Sequence, residues 1–167
     1  MNTLTQILNN AAEKAVNILK QNNKTVATAE SCTGGLLSTL ITSVSGASAV
    51  FLLGVCSYSP KAKNEILKVK TETLKNYGTV SEFTAKEMAE NVRQISGADI
   101  GLSVTGVAGP DPSENKPVGL VYIALSYQNN THVKTLNIEN HGRDYIRKVV
   151  ALEVFNLLIN HLNLEEQ

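Results

Sequence analysis

Along the first stretch of the chain, Leu4, Ile7, Leu8, Ala11, Ala15, Ile18 and Leu19 recur every three or four positions. That is the spacing of one helical face, and it predicts an amphipathic helix over residues 3–20. A short apolar run at 25–29 then reads as a buried strand, and residues 35–42 as a helix. The run "VFLLGVCSY" predicts a strand over 50–58, followed by short helices at 61–67 and 71–76, the second closed by Gly78. Ser81 is placed to cap a helix ending near Ser96. Its core face would hold Ala85, Met88, Ala89, Val92 and Ile95. "DIGLSVT" reads as a strand over 99–105 and residues 118–127 as a longer one. Residues 132–138 return antiparallel after an Asn129-Asn130 turn. A last helix over 144–162 would bury Ile146, Val150, Val154, Leu157 and Leu158.

Five strands interleaved with helices predict an α/β protein: a three-layer α/β/α sandwich on a mostly parallel, five-stranded mixed sheet with one antiparallel hairpin. The 167 residues suit one domain, taken as 1–167, and no repeat or linker divides them. Apolar residues make up 43% and charged residues 18%, which excludes a disordered chain. Fifteen basic residues balance fifteen acidic ones, so a broad phosphate-backbone footprint is not expected, nor is nucleic acid as a partner. The N-terminus lacks the charged-then-apolar layout of a secretory signal, and no apolar run reaches a membrane span. A cytoplasmic protein without a membrane partner is the expectation. Cys32 and Cys56 have no metal-ligand spacing, so neither a metal nor a cofactor is expected. The first helix and the "VFLLGV" strand offer apolar surface for a homodimer or for the core, and the sequence leaves both open.

In open α/β sheets ligands bind beyond the carboxyl ends of the strands, which selects the loops after residues 29, 58 and 105. The first reads "ESCTGG". Gly34 and Gly35 at a helix start would bring a ligand close to free backbone N–H groups, and Ser31 and Thr33 add hydroxyls. The plainer reading is a capped helix in a tight turn. The third loop, "VTGVAGP", again sets a hydroxyl and a glycine, Thr105 and Gly106, at a strand end. Around the second strand lie Ser48 among small residues, then Tyr58, Lys61 and Lys63. Of the three histidines, His132 opens a strand and His161 lies near the C-terminus, so neither suits a triad base; a Ser–Lys or Ser–Tyr–Lys arrangement would serve a serine nucleophile if burial lowers the lysine pKa. Arg143 and Arg147, four apart at a helix start, have the spacing of a phosphate clamp or of a plain surface pair.

The stretches "AESCTGGLLS", "SGASAVFLLGVCSYSPKAK", "GTVSEFTAKEMAE", "SVTGVAGPD" and "KPVGLVYIA" resemble, in order, the CinA C-terminal domain family, whose members include bacterial nicotinamide mononucleotide (NMN) deamidases. The resemblance runs from about Thr25 to Leu158. It implies metal-free hydrolysis of the nicotinamide carboxamide of NMN, giving nicotinic acid mononucleotide and ammonia. By the same resemblance Ser48 is the expected nucleophile, with Tyr58 and Lys63 assisting proton transfer. Thr105 and Arg143 match family positions, Arg143 as a ligand contact. Ser31, Thr33, Gly34, Gly35, Lys61, Gly106 and Arg147 complete the expected substrate-binding set. Two alternatives stay open here, Ser31 for Ser48 as nucleophile and Lys61 for Lys63 as base. A rival reading is a non-catalytic nucleotide-sensing or partner-binding module linked to competence and DNA damage.

Overall fold

A computed structural model describes residues 3–165; Met1, Asn2, Glu166 and Gln167, which the expected domain includes, lie outside the described residues. The helix α1, Leu4–Gln21, opens with a reciprocal cap in which Thr3 and Gln6 each accept the other's backbone N–H through their side chains. The strands β1 (Val26–Glu30), β2 (Phe51–Cys56), β3 (Ile100–Gly106), β4 (Leu120–Tyr127) and β5 (Asn130–Asn137) form one sheet in the order β2-β1-β3-β4-β5. β1 is parallel to both β2 and β3, while β4 is antiparallel to both of its neighbours. Four strands therefore point one way, and the carboxyl ends of β1, β2 and β3 come out side by side.

Helices cover both faces. On one lie α1, α2 (Leu36–Thr42) and α6 (Arg143–Glu165), which bury Leu8, Leu37, Ile41, Ile146, Val150 and Phe155 against Ile100, Leu102 and Ile123. On the other, α5 (Glu82–Ser96) packs Met88 and Val92 on Ala27 and Ala29, joined by Leu67, Val69 and Leu74 from around α3 (Pro60–Glu65) and α4 (Thr71–Tyr77). β1 is buried at every position, as a central strand covered on both faces must be. The contact of α5 with β3 is close: a Cβ at Gly101 would stand 2.1 Å from the Ala89 carbonyl oxygen. Ser103 Oγ donates to Ala85 O at 2.6 Å in the same contact.

Three expectations shift. The hairpin turns at Gln128 and Asn129 rather than Asn129 and Asn130, because Tyr127 pairs with Asn130; Gln128 takes the positive φ of 50°. A 3-10 turn at Ala47–Ala49 precedes β2, which starts at Phe51 and ends at Cys56. Ile95, expected in the core, is 51% exposed, because the last turn of α5 runs past the face that Met88 and Val92 bury. Among the described residues no helix is long and apolar enough to cross a membrane.

Candidate active site

Register brings the first two loops together. Glu30 and Cys56 are the last paired residues of β1 and β2, and Ser57 N donates to Glu30 O at 2.9 Å, so Ser31 and Ser57 leave the sheet side by side. Ser59 then caps α3, accepting from Ala62 N at 3.1 Å. One turn later Lys63 points back under the strands and is 1% exposed. Its Nζ donates to Ser31 Oγ at 2.9 Å and to Ser57 O at 2.7 Å. Burial pulls the Lys63 pKa down from 10.5 to about 8, with Cys32 and the Glu114 carboxylate opposing the fall. Near neutral pH about a tenth of such a lysine is a free amine. A free amine at hydrogen-bond distance from a serine hydroxyl can take its proton as the oxygen attacks an acyl carbon.

The turn between Ser31 and α2 is held by a group the sequence reading passed over. Glu30 is fully buried, and its carboxylate accepts from Gly35 N (3.0 Å), Leu37 N (3.0 Å), Ser38 N (2.9 Å) and Ser38 Oγ (2.8 Å). It supplies the helix cap expected of Ser31 or Thr33. Gly34 N donates to Ser31 O at 3.0 Å. The amides of Gly34 and Gly35 are thus committed within the chain and are not open to a ligand. The glycines serve conformation instead, with φ of 59° and 92°.

Arg143 lies across the mouth of the site. It donates to Gly109 O at 2.6 Å and to Tyr58 Oη at 2.9 Å. Arg147, one turn along α6, donates to Thr33 O at 2.6 Å and leans over Gly34. Between these groups lies a cavity of about 190 Å³, lined by Ser31, Tyr58, Val80, Gly106, Asp111 and Arg143 among others. The 110–117 loop forms its rim and is tied down at both ends of a tight turn. Glu114 accepts from Thr79 N, Thr79 Oγ1 and Val80 N, and Lys116 donates to the carbonyls of Tyr77 and Val80. The hydroxyls of Thr33 and Ser57 are buried without a hydrogen-bond partner among the described residues.

Of the expected site residues, Ser31, Lys63, Tyr58, Gly106, Arg143 and Arg147 are brought together. Ser48 does not join them. It sits exposed in the 3-10 turn before β2, at the amino end of the strand, whereas Lys63 follows its carboxyl end. The six residues of β2 put about 20 Å of strand between the two ends. Tyr58 is 63% exposed and bonds Arg143 rather than Lys63, so it is no relay to the amine. Lys61 faces outward and pairs with Glu65 at 3.8 Å. Thr105 is buried, its hydroxyl donating to Thr79 O at 2.6 Å, and so it fixes the 78–80 turn behind the cavity. Cys32 is core, and burial pushes its thiol up to about 12. Sequence reasoning also missed Ser57 and Glu114. For Glu30 a signal was available: a carboxylate closing an apolar strand immediately before a glycine-led helix.

No three His, Cys, Asp or Glu side chains among the described residues are grouped to hold a metal ion. A family profile described as the CinA C-terminal domain matches residues 8–162. A relative from Acetivibrio thermocellus, named for competence-damage induction, is 52% identical over 145 residues, covering 86% of this chain and 35% of its own length. A CinA-like protein from Kosmotoga olearia is 48% identical over 141 residues, 84% of this chain and 34% of that one. The chain thus spans about a third of the length of these relatives. Among solved structures, a competence/damage inducible protein from Agrobacterium tumefaciens superposes with a TM-score of 0.90 at 36% identity, covering 98% of this chain and 99% of that one. A CinA superfamily protein from Klebsiella pneumoniae gives 0.91 at 26% identity, covering 93% and 98%.

Proposed function

Since this chain belongs to the CinA C-terminal domain family, we propose that it is an amidohydrolase converting NMN and water to nicotinic acid mononucleotide and ammonia, with Ser31 as nucleophile and Lys63 as base. The observation that carries the reading is the buried Lys63 amine on Ser31 Oγ at 2.9 Å. Ser31 Oγ attacks the carboxamide carbon as Lys63 takes its proton, giving a tetrahedral oxyanion. The C–N bond breaks, Lys63 returns the proton to the departing nitrogen, and ammonia leaves an acyl ester on Ser31. Water then attacks that ester. Lys63 accepts the water's proton and delivers it to Ser31 Oγ as the acid departs. Arg143 and Arg147 are the cations available to the nucleotide phosphate. Ammonia release from NMN by metal-free protein tests this. Wild type and Ser48→Ala should both turn over, while folded Ser31→Ala should not. Loss of activity in Ser48→Ala with retention in Ser31→Ala would overturn the assignment. A wild type that binds NMN without releasing ammonia would favour the nucleotide-sensing reading instead.

A further inference from the structure

The Ser57 hydroxyl calls for an explanation. It belongs to a residue with no exposed surface, it has no hydrogen-bond partner among the described residues, and its own carbonyl is already bonded to Lys63 Nζ. A buried hydroxyl left unpaired costs stability, so such groups are few in native proteins and cluster where something else uses them. The state of the neighbouring amine suggests that use. A neutral Lys63 gives one N–H to Ser57 O and turns its lone pair to the Ser31 hydroxyl, leaving only a weakly polar second N–H over. Once it holds the serine's proton it becomes an ammonium with three N–H donors, and among the described residues no third acceptor is bonded to it.

We propose that Ser57 is a positioning residue of this site: by rotating about its Cα–Cβ bond, its hydroxyl becomes the third acceptor of the protonated Lys63 amine. This rests on the Ser31–Lys63 reading above and adds a residue to it. The atoms balance without any further reactant. The proton leaves Ser31 Oγ for Lys63 Nζ, the ammonium donates to Ser57 O, Ser57 Oγ and the departing group, and the same proton leaves with ammonia. Other charged and titratable groups bear on the amine. The Glu114 carboxylate approaches from the rim loop and the Cys32 thiol from the β1–α2 turn, with Arg143 and Arg147 of α6 acting in turn on Cys32. None of these supplies the missing acceptor.

Ser57→Ala separates this role from a structural one. Deleting an orphaned hydroxyl should leave the melting temperature unchanged or higher. At the same time kcat for ammonia release should fall about ten- to a hundredfold, the worth of one hydrogen bond to a charged group, with KM little changed. The acid limb of kcat/KM, which reports the base, should move to lower pH because the ammonium has lost an acceptor. An unchanged kcat and acid limb would overturn the proposal, as would a loss of kcat matched by a loss of melting temperature. A second readout is independent of NMN: acylation of Ser31 by p-nitrophenyl acetate, followed by intact mass across pH. If wild type ignores NMN but is acylated at Ser31, and Ser57→Ala shifts the acylation midpoint downward, the substrate assignment fails and the Ser57 role stands. If the midpoint does not move, the Ser57 role fails.

Discussion

Replacing Lys63 with Met removes the buried amine while keeping the length of the side chain, and its effect on stability should depend on pH in a defined way. In the unfolded chain the lysine titrates near 10.5, and in the folded protein at about 8. Below the lower value both states hold the proton, so the folded state carries the full cost of burying an ammonium. Between the two values the unfolded chain still binds a proton that the folded protein has released, so wild-type stability rises with pH. Above the upper value the cost is gone. At 1.36 kcal/mol per pH unit the difference amounts to about 3 kcal/mol. Met has no such proton. The hydrogen bonds lost to Ser31 and Ser57 are a second, pH-independent cost of about 1–3 kcal/mol, so Lys63→Met has its best standing relative to wild type near pH 7. Urea unfolding of both proteins between about pH 7 and pH 10 should show wild type gaining about 2–3 kcal/mol on the mutant. A gap that stays flat to within about 0.5 kcal/mol would refute the argument, because the amine would then titrate alike folded and unfolded. On the proposed function the same mutant loses about a hundred- to ten-thousandfold in turnover.

Other consequences are as easily checked. Glu30→Ala strips four hydrogen bonds from the start of α2 and should cost about 3 kcal/mol in urea unfolding; a cost below about 1 kcal/mol would mean that water replaces the carboxylate. Gly101→Ala places a methyl 2.1 Å from the Ala89 carbonyl and should cost about 3 kcal/mol, unless α5 can retreat from the sheet, in which case the midpoint barely moves. Iodoacetamide should modify exposed Cys56 in the native protein and reach Cys32 only after unfolding, as buried Cys32 keeps its proton up to about 12; native labelling of both at similar rates, read by peptide mass, would contradict this.

The sequence carried the architecture because its elements are long and periodic. α1, α5 and α6 announce one apolar face each, and β1 is buried throughout and β3 at all but its last residue. Edges were harder. Ile95 fits the period of α5, yet periodicity cannot say where the surface beneath a helix ends. The site was legible only in its ingredients. Lys61 and Lys63 differ by two positions, and it is the Ser59 cap that fixes the start of α3 and so turns Lys63 inward. Ser48 illustrates a different lapse. A residue that precedes a parallel strand lies at the amino end of the sheet, so chain order alone separates it from Ser31 and Lys63, which follow strands. Ser57 was illegible as a partner because its meaning depends on the register of β1 against β2, a pairing between segments more than twenty residues apart, whereas Glu30 acts on the turn that follows it.

Glu30 has one more consequence. Many proteins of this architecture meet an anion with main-chain amides at a helix start, a site that comes with the backbone and is indifferent to the side chains around it. Here an internal carboxylate fills that place, and the guanidinium that lines the cavity is that of Arg143, with Arg147 one turn along α6 bonded to Thr33 O. On the proposed function, the anion is therefore met by side chains that single codons can replace. On that reading, substitutions at 143 and 147 would change what the cleft accepts while leaving the turn and the helices untouched.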